Sequence, residues 1–147
     1  MAASKPTLEK RYFTVAEANA TLPLVRAIVR DIMELARDLR DRQGRLNRFQ
    51  AVAQKPANDA YQEEIDHARA DFERDQERLH DFEHELRNLG VELKDYFIGL
   101  IDFPCLMDDR EVYLCWKAGE PEVGFWHDLE AGFAGRQRIP VTTVSKN

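Results

Sequence analysis

Apolar residues recur every three or four positions along the first long stretch of the chain. Val25, Ile28, Ile32, Leu35 and Leu39 form one row, continued past Arg42 by Leu46, Phe49 and Ala53. The same spacing returns at Tyr61, Ile65, Ala68 and Phe72, passes Asp75, and resumes at Leu79, Phe82, Leu86 and Leu89. Alternating steps of three and four keep one stripe of a helix apolar, as in the seam of a coiled coil. Lys55-Pro56-Ala57-Asn58 separates the two rows, and so short a connection makes the two helices antiparallel neighbours. Setting Ala53 opposite Tyr61 brings Leu35 opposite Leu79 and Ile28 opposite Leu86. In that register Arg42 and Asp75, the one charged residue in each seam, lie about one helical turn apart and are expected to pair.

The ends of these helices are marked. Thr14-Val15-Ala16-Glu17 is a capping box, in which the hydroxyl and the carboxylate each satisfy a backbone N–H of the first turn. The first helix is expected over 14–54. Pro23 lacks an N–H and its ring crowds the carbonyl of Asn19, so a break near Pro23 is expected, leaving a short N-terminal helix before the long one. Gly90 closes the second helix, expected over 59–89. Residues 1–10 are expected to be a flexible tail.

Past Gly90 the period changes to two. Ile98 to Leu106, Glu111 to Lys117 and Val123 to His127 are rich in apolar, aromatic and β-branched residues. They predict a β-meander over 97–127, with Met107-Asp108-Asp109-Arg110 as a turn. A glycine loop and an edge strand from Arg138 to Val144 are expected within 128–147. With Asp108-Asp109 at the turn, Asp102 faces Cys115 and Leu106 faces Glu111. Cys105 and Cys115 then point to opposite faces, no disulfide is expected, and each is read as a small packing residue. The predicted fold class is α+β: a long antiparallel, coiled-coil-like helical hairpin plus a small three- to four-stranded antiparallel β-sheet. The short N-terminal helix is expected to pack on that sheet, in one domain over 11–147.

Composition narrows the function classes. The 147 residues are enough for one domain with a real core. No apolar run approaches a membrane span, and the first residues lack the apolar core of a secretory signal. A cytoplasmic protein with no membrane partner is the expectation. The net charge of -6 argues against general nucleic-acid binding. The charge is also segregated: residues 21–58 carry eight Lys and Arg against four acids, and residues 59–90 carry four Arg against eleven acids. Adjacent segments of opposite sign attract each other, a structural use of charge.

Candidate chemistry is sparse. His80-Asp81-Phe82-Glu83-His84 matches the inverted zinc-protease motif, with Glu77 as the available third ligand. Phe82 occupies the seam, however, which turns His80 and His84 to the outer face, and a solvated helix is the reading taken. The denser cluster lies in the meander, around Phe125-Trp126-His127-Asp128-Leu129-Glu130-Ala131-Gly132-Phe133-Ala134-Gly135-Arg136. His127, Glu130, Glu120 and Asp102 are the candidates for acid–base or metal chemistry. Trp116, Glu120, His127, Glu130 and Arg136 are the candidates for a binding surface. On a strand Trp126 and His127 take opposite faces; the larger apolar Trp126 is assigned to the core and His127 to the outer rim beside Glu130. No cofactor is called for.

The segment Lys10 to Ile32, the later Gly99-Leu100-Ile101-Asp102-Phe103-Pro104-Cys105-Leu106, and the stretch Arg110 to Arg136 resemble the DUF2203 family of small prokaryotic proteins. The resemblance runs over about residues 10–140 and is carried by the two ends; the hydrophilic middle matches in character. It implies a prokaryotic cytoplasmic protein and supplies no activity. It singles out Phe13 to Ala18, Asp102, Cys115-Trp116, Gly119-Glu120, Trp126-His127 and Gly132 to Arg136 as places to look for a shared site. The function expected is that of an interaction or scaffold protein with an unidentified protein partner, self-associating as a homodimer through its hairpin. The alternative is a small enzyme or metal-binding protein with its site around His127 and Glu130. A second alternative, a nucleic-acid-associated protein, rests on the arginines of the first long helix.

Overall fold

The computed structural model describes residues 10–52 and 59–140. Helix α1 (Val15–Val52) and helix α2 (Asp59–Leu89) are followed by β1 (Glu92–Asp95), β2 (Leu100–Met107), β3 (Arg110–Lys117), β4 (Phe125–Asp128) and β5 (Gln137–Arg138). The five strands form one antiparallel sheet in sequence order. The α+β class, the helical hairpin and the antiparallel meander are thus as the periodicities predict. The tail over 1–9, the Lys55 to Asn58 stop, the pairing of Ala53 with Tyr61 and the edge strand beyond residue 140 lie outside the described residues.

Helix α1 begins at the capping box. The Glu17 N–H donates to the Thr14 hydroxyl at 3.0 Å, and the Thr14 N–H donates to the Glu17 carboxylate at 3.0 Å. The predicted break near Pro23 is absent: α1 runs unbroken through it. An interior proline costs on the order of 3 kcal/mol. Pro23 lies on the exposed side of the helix, whereas Ala18, Leu22, Val25 and Val29 are buried. Burying each Leu or Val side chain contributes roughly 1.5–3 kcal/mol, so packing outweighs the proline. Asn19 ties the same stretch to the loop before β4, accepting from the Val123 N–H at 2.7 Å. The N-terminal half of α1 therefore does pack on the sheet, as part of one long helix rather than as a separate short one.

The principal core lies between that half of α1 and one sheet face. Phe13, Leu22, Val25, Val29 and Ile32 meet Ile101, Phe103, Val112, Leu114 and Trp116, with Leu86 of α2 fully buried beside them. Phe13 and Phe103 pack edge to face with centroids 5.1 Å apart. A second cluster, Leu35, Leu39, Leu46 and Phe72, fills the seam of the hairpin beyond the sheet. Leu79 and Phe82 touch both clusters. Arg42 and Asp75 form the expected ion pair in that seam, and Asp75 also pairs with Arg78 at 3.2 Å.

The edge strand β1 is an addition to the three- to four-stranded prediction. Its four residues, Glu92-Leu93-Lys94-Asp95, are mostly polar and carry an irregular register against β2. Asp95 caps the turn that follows, accepting from the N–H groups of Phe97 and Ile98 at 2.8 and 3.0 Å. Gly99, at φ 68°, closes this turn against α1. A Cβ there would stand 2.7 Å from Met33 Sδ and 2.9 Å from Val29 Cγ1, so only glycine fits.

Two outcomes test this architecture. Leu86→Ala should cost about 2–5 kcal/mol through lost burial and a cavity, while His80→Ala, on the exposed face of α2, should stay within about 0.5 kcal/mol of the parent. Chemical denaturation of both variants measures this; equal losses would misplace the seam. The hydrogen bonds from Arg42 and then Arg78 hold the Asp75 carboxyl below its ordinary value of 3.8. A carboxyl lowered on folding stabilises the fold fully above that value, and the contribution disappears as pH falls below it through the lowered folded value. Asp75→Asn should therefore be less stable than the parent at neutral pH, with the difference shrinking below about pH 4.

Candidate metal centre on the sheet

Alternation along β2, β3 and β4 sends one set of side chains toward the helices and the other away from them. Asp102 pairs with Cys115 across β2 and β3, and Cys115 with Phe125 across β3 and β4, while Tyr113 pairs with His127. Residues two apart on a strand share a face, so Asp102, Cys115 and His127 stand together on the face turned from the helices. All three are buried: Asp102 is 3% exposed, His127 2% and Cys115 0%. One ligand atom from each lies within 4.8 Å of the others. Among the described residues, this is the one group of three metal-ligand-type side chains brought so close.

The histidine is oriented from behind. Its Nδ1 lies 2.7 Å from the carbonyl oxygen of Asp128, which only accepts, so Nδ1 carries a hydrogen and donates. Nε2 then faces Asp102, 3.1 Å from each carboxylate oxygen. A bare lone pair aimed at two anionic acceptors is repulsive, so a proton or a cation must lie between them. Burial pushes the Asp102 carboxyl above its ordinary range, opposed by His127, Lys94 and a hydrogen bond from the Cys115 thiol. Burial also pushes the Cys115 thiol up to about 11, which leaves it unsuited to nucleophilic attack without further activation.

A second pair borders this cluster. The Arg136 guanidinium reaches Cys115 Sγ at 3.6 Å and forms a two-pronged ion pair with Glu120. It stacks over Phe125, 3.8 Å from the ring centroid, and over Phe133 at 4.6 Å. Glu120 is held in turn by the Lys117 N–H at 2.9 Å, in a tight turn where Gly119 has φ 103°. The opposite end of His127 is covered by Tyr113, whose ring centroid is 5.5 Å away.

The sequence-predicted residues divide accordingly. Asp102 and His127 come together, and Glu120 and Arg136 pair beside them. Glu130 is exposed; His127 pairs with Asp102 and the Asp128 carbonyl instead. Trp116 faces the helices at 1% exposure, donating to the Glu120 carbonyl at 3.0 Å, and belongs to no surface. Trp126 and His127 do take opposite faces, and Trp126 packs partly buried on the core side. His127, however, is not at an outer rim, because side chains of the strands and of the glycine loop cover this face. Glu77, His80 and His84 are each exposed on α2 and form no such three-residue group. Cys115, which its spacing reads as a packing residue and which only the family resemblance singles out, is the third member of the cluster. Its pairing with Asp102 is readable from the Asp108-Asp109 turn; the register of β4 on β3, across the irregular Ala118 to Gly124 connection, is not.

The residues singled out by the family resemblance in separate stretches, Asp102, Cys115, Glu120, His127 and Arg136, thus converge on one corner of the sheet. No curated protein and no solved structure matches the chain. The model of an uncharacterised conserved protein family, DUF2203, matches residues 11–139, and the chain belongs to that family.

Proposed function

We propose that this protein binds a single divalent transition-metal ion of the zinc class through Asp102, Cys115 and His127. The observation that carries the reading is the meeting of sulfur, imidazole nitrogen and carboxylate oxygen on one sheet face, with the imidazole oriented by the Asp128 carbonyl. That back-side hydrogen bond is the usual support of a metal-ligating histidine, because it fixes Nε2 as the lone-pair nitrogen. Donors at about 2.0–2.3 Å from a tetrahedral zinc stand roughly 3.3–3.7 Å from one another, close to the 3.1 Å between Nε2 and the Asp102 oxygens. The cation would also relieve the repulsion between that lone pair and the carboxylate. Binding replaces the thiol hydrogen of Cys115 with a metal–sulfur bond and releases the proton to solvent. Three protein donors leave one of four tetrahedral positions for a small exogenous ligand.

The reading takes up the metal-binding alternative to the interaction protein and alters its ligand set: His127 and Asp102 are kept, and Cys115 stands where Glu130 and Glu120 were expected. The acidic net charge favours a cation and disfavours nucleic acid.

Elemental analysis of untagged protein should find about one zinc equivalent per chain, reloaded after chelation. Cobalt(II) substitution gives a readout separate from folding. The parent should show intense visible bands and a thiolate-to-cobalt charge-transfer band. Cys115→Ser should lose the charge-transfer band while keeping its circular dichroism, and His127→Asn should bind cobalt at least about tenfold more weakly. Protein that takes up neither metal, with unchanged thermal stability on adding zinc, would sink the proposal.

A further inference from the structure

The outer half of the helical hairpin carries an apolar groove that only the two helices line. Leu46 and Phe49 of α1 and Tyr61, Ile65 and Ala68 of α2 form its floor, over a volume of about 320 Å³. Phe49 is 48% exposed, although it falls in the apolar row of α1. Two helices alone cover one seam and leave its flanks bare.

Charge on the two rims says what covers this flank. Between residues 39 and 52, α1 carries four arginines against Asp41 alone. Between residues 59 and 73, α2 carries six acids against Arg69 alone. Within the hairpin these charges are only partly used. Arg42 pairs with Asp38 and Asp75, but among the described residues Arg45, Arg48, Glu63 and Glu64 form no ion pair. A nucleic acid would meet the acids of α2 and be repelled; a strongly acidic or strongly basic protein would suit one helix and oppose the other. A surface with both signs side by side is complementary to itself under a two-fold rotation.

We propose that the occupant of the groove is a second copy of this chain. The two hairpins lie side by side as four helices, with the basic outer half of α1 against the acidic outer half of the partner's α2, and Phe49 of each copy covered at the centre. The two-fold makes both cross-contacts with one operation, and the contact joins the apolar floor to the unpaired charges on its rim. This site is separate from the metal ligands, and the proposal stands without them.

Light scattering and sedimentation equilibrium test it. The parent should weigh twice its chain mass of 17.1 kDa at micromolar concentration, and its dissociation should rise with salt. Phe49→Asp should be monomeric with unchanged helical circular dichroism. Arg45→Glu with Arg48→Glu, and separately Glu63→Arg with Glu64→Arg, should each weaken self-association on the order of tenfold or more. Mixing these two double variants should restore a dimer, a result that loss of folding does not mimic. A parent that stays at one chain mass at high concentration overturns the proposal. So does a dimer that survives both Phe49→Asp and the charge reversals, or a wild-type monomer that pairs only with a different protein.

Discussion

Strand alternation across β2, β3 and β4 is the constraint on which everything else hangs. The turn at Asp108 and Asp109, both at positive φ, sets the β2–β3 register. That register puts Ile101, Phe103 and Cys105 opposite Trp116, Leu114 and Val112 on the helix side. It puts Asp102 opposite Cys115 on the other. A slip of one residue would drive Asp102 into the principal core and turn Phe103 away from it. The apolar face thereby enforces the polar one: burying Phe103, Leu114 and Trp116 against α1 leaves Asp102 and Cys115 no other place to be. The β3–β4 pairing then delivers His127 to the same spot.

Such a cluster is a poor way to gain stability. An ionised carboxylate taken out of water loses several kcal/mol of solvation, and replacing a buried ion pair with apolar groups is often neutral or favourable. Every buried side-chain nitrogen and oxygen among the described residues nevertheless has a partner, so the cluster is a finished network rather than a defect. Arg136 sharpens the point. Its guanidinium stacks on two phenylalanine rings and pairs with Glu120, and so is held rigidly beside the sulfur of Cys115. Three ligating chemistries, an oriented imidazole and a fixed neighbouring cation are costly features for a sheet that needed only packing.

Long-range order was legible where a period ran long enough. The hairpin, its register at Arg42 and Asp75, the capping box and the pairing of Asp102 with Cys115 all follow from spacing. What failed to show has physical causes. Pro23 reads as a break because local backbone rules are blind to the sheet that holds both sides of α1. The four-residue strand β1 is too short and too polar to display alternation, and exists because it follows α2 directly and finds the free edge of β2. His127 reads as outward because Trp126, the larger apolar side chain, takes the opposite, core face, and the side chains that cover the other face come from separate stretches of the chain. Those side chains dry it: Tyr113 on one side, and Phe125 under Arg136 on the other. Cys115 reads as a packing residue because nothing in the chain announces the register in which β4 pairs across Ala118 to Gly124.

The two cores give the molecule two regions with separate demands. The sheet side is closed by α1 and α2 together, through Val25, Ile32 and Leu86. The outer hairpin has only its own seam, in which Leu35, Leu39, Leu46 and Phe72 are the buried members and Arg42 with Asp75 interrupts the apolar row. Leu79 and Phe82 are the hinge of packing between them, touching both clusters. The polar cluster lies on the sheet face turned from α1, and the arm groove lies beyond the sheet on the helical side, so the principal core separates them. A substitution at Phe49 therefore has no packed route to His127 except through Leu79, Phe82 and the whole of that core. Close-packed interiors transmit displacement through contact. With so much buried structure between them, the proposed metal binding and the proposed self-association are expected to vary independently, one set by the sheet and the other by the outer half of the hairpin.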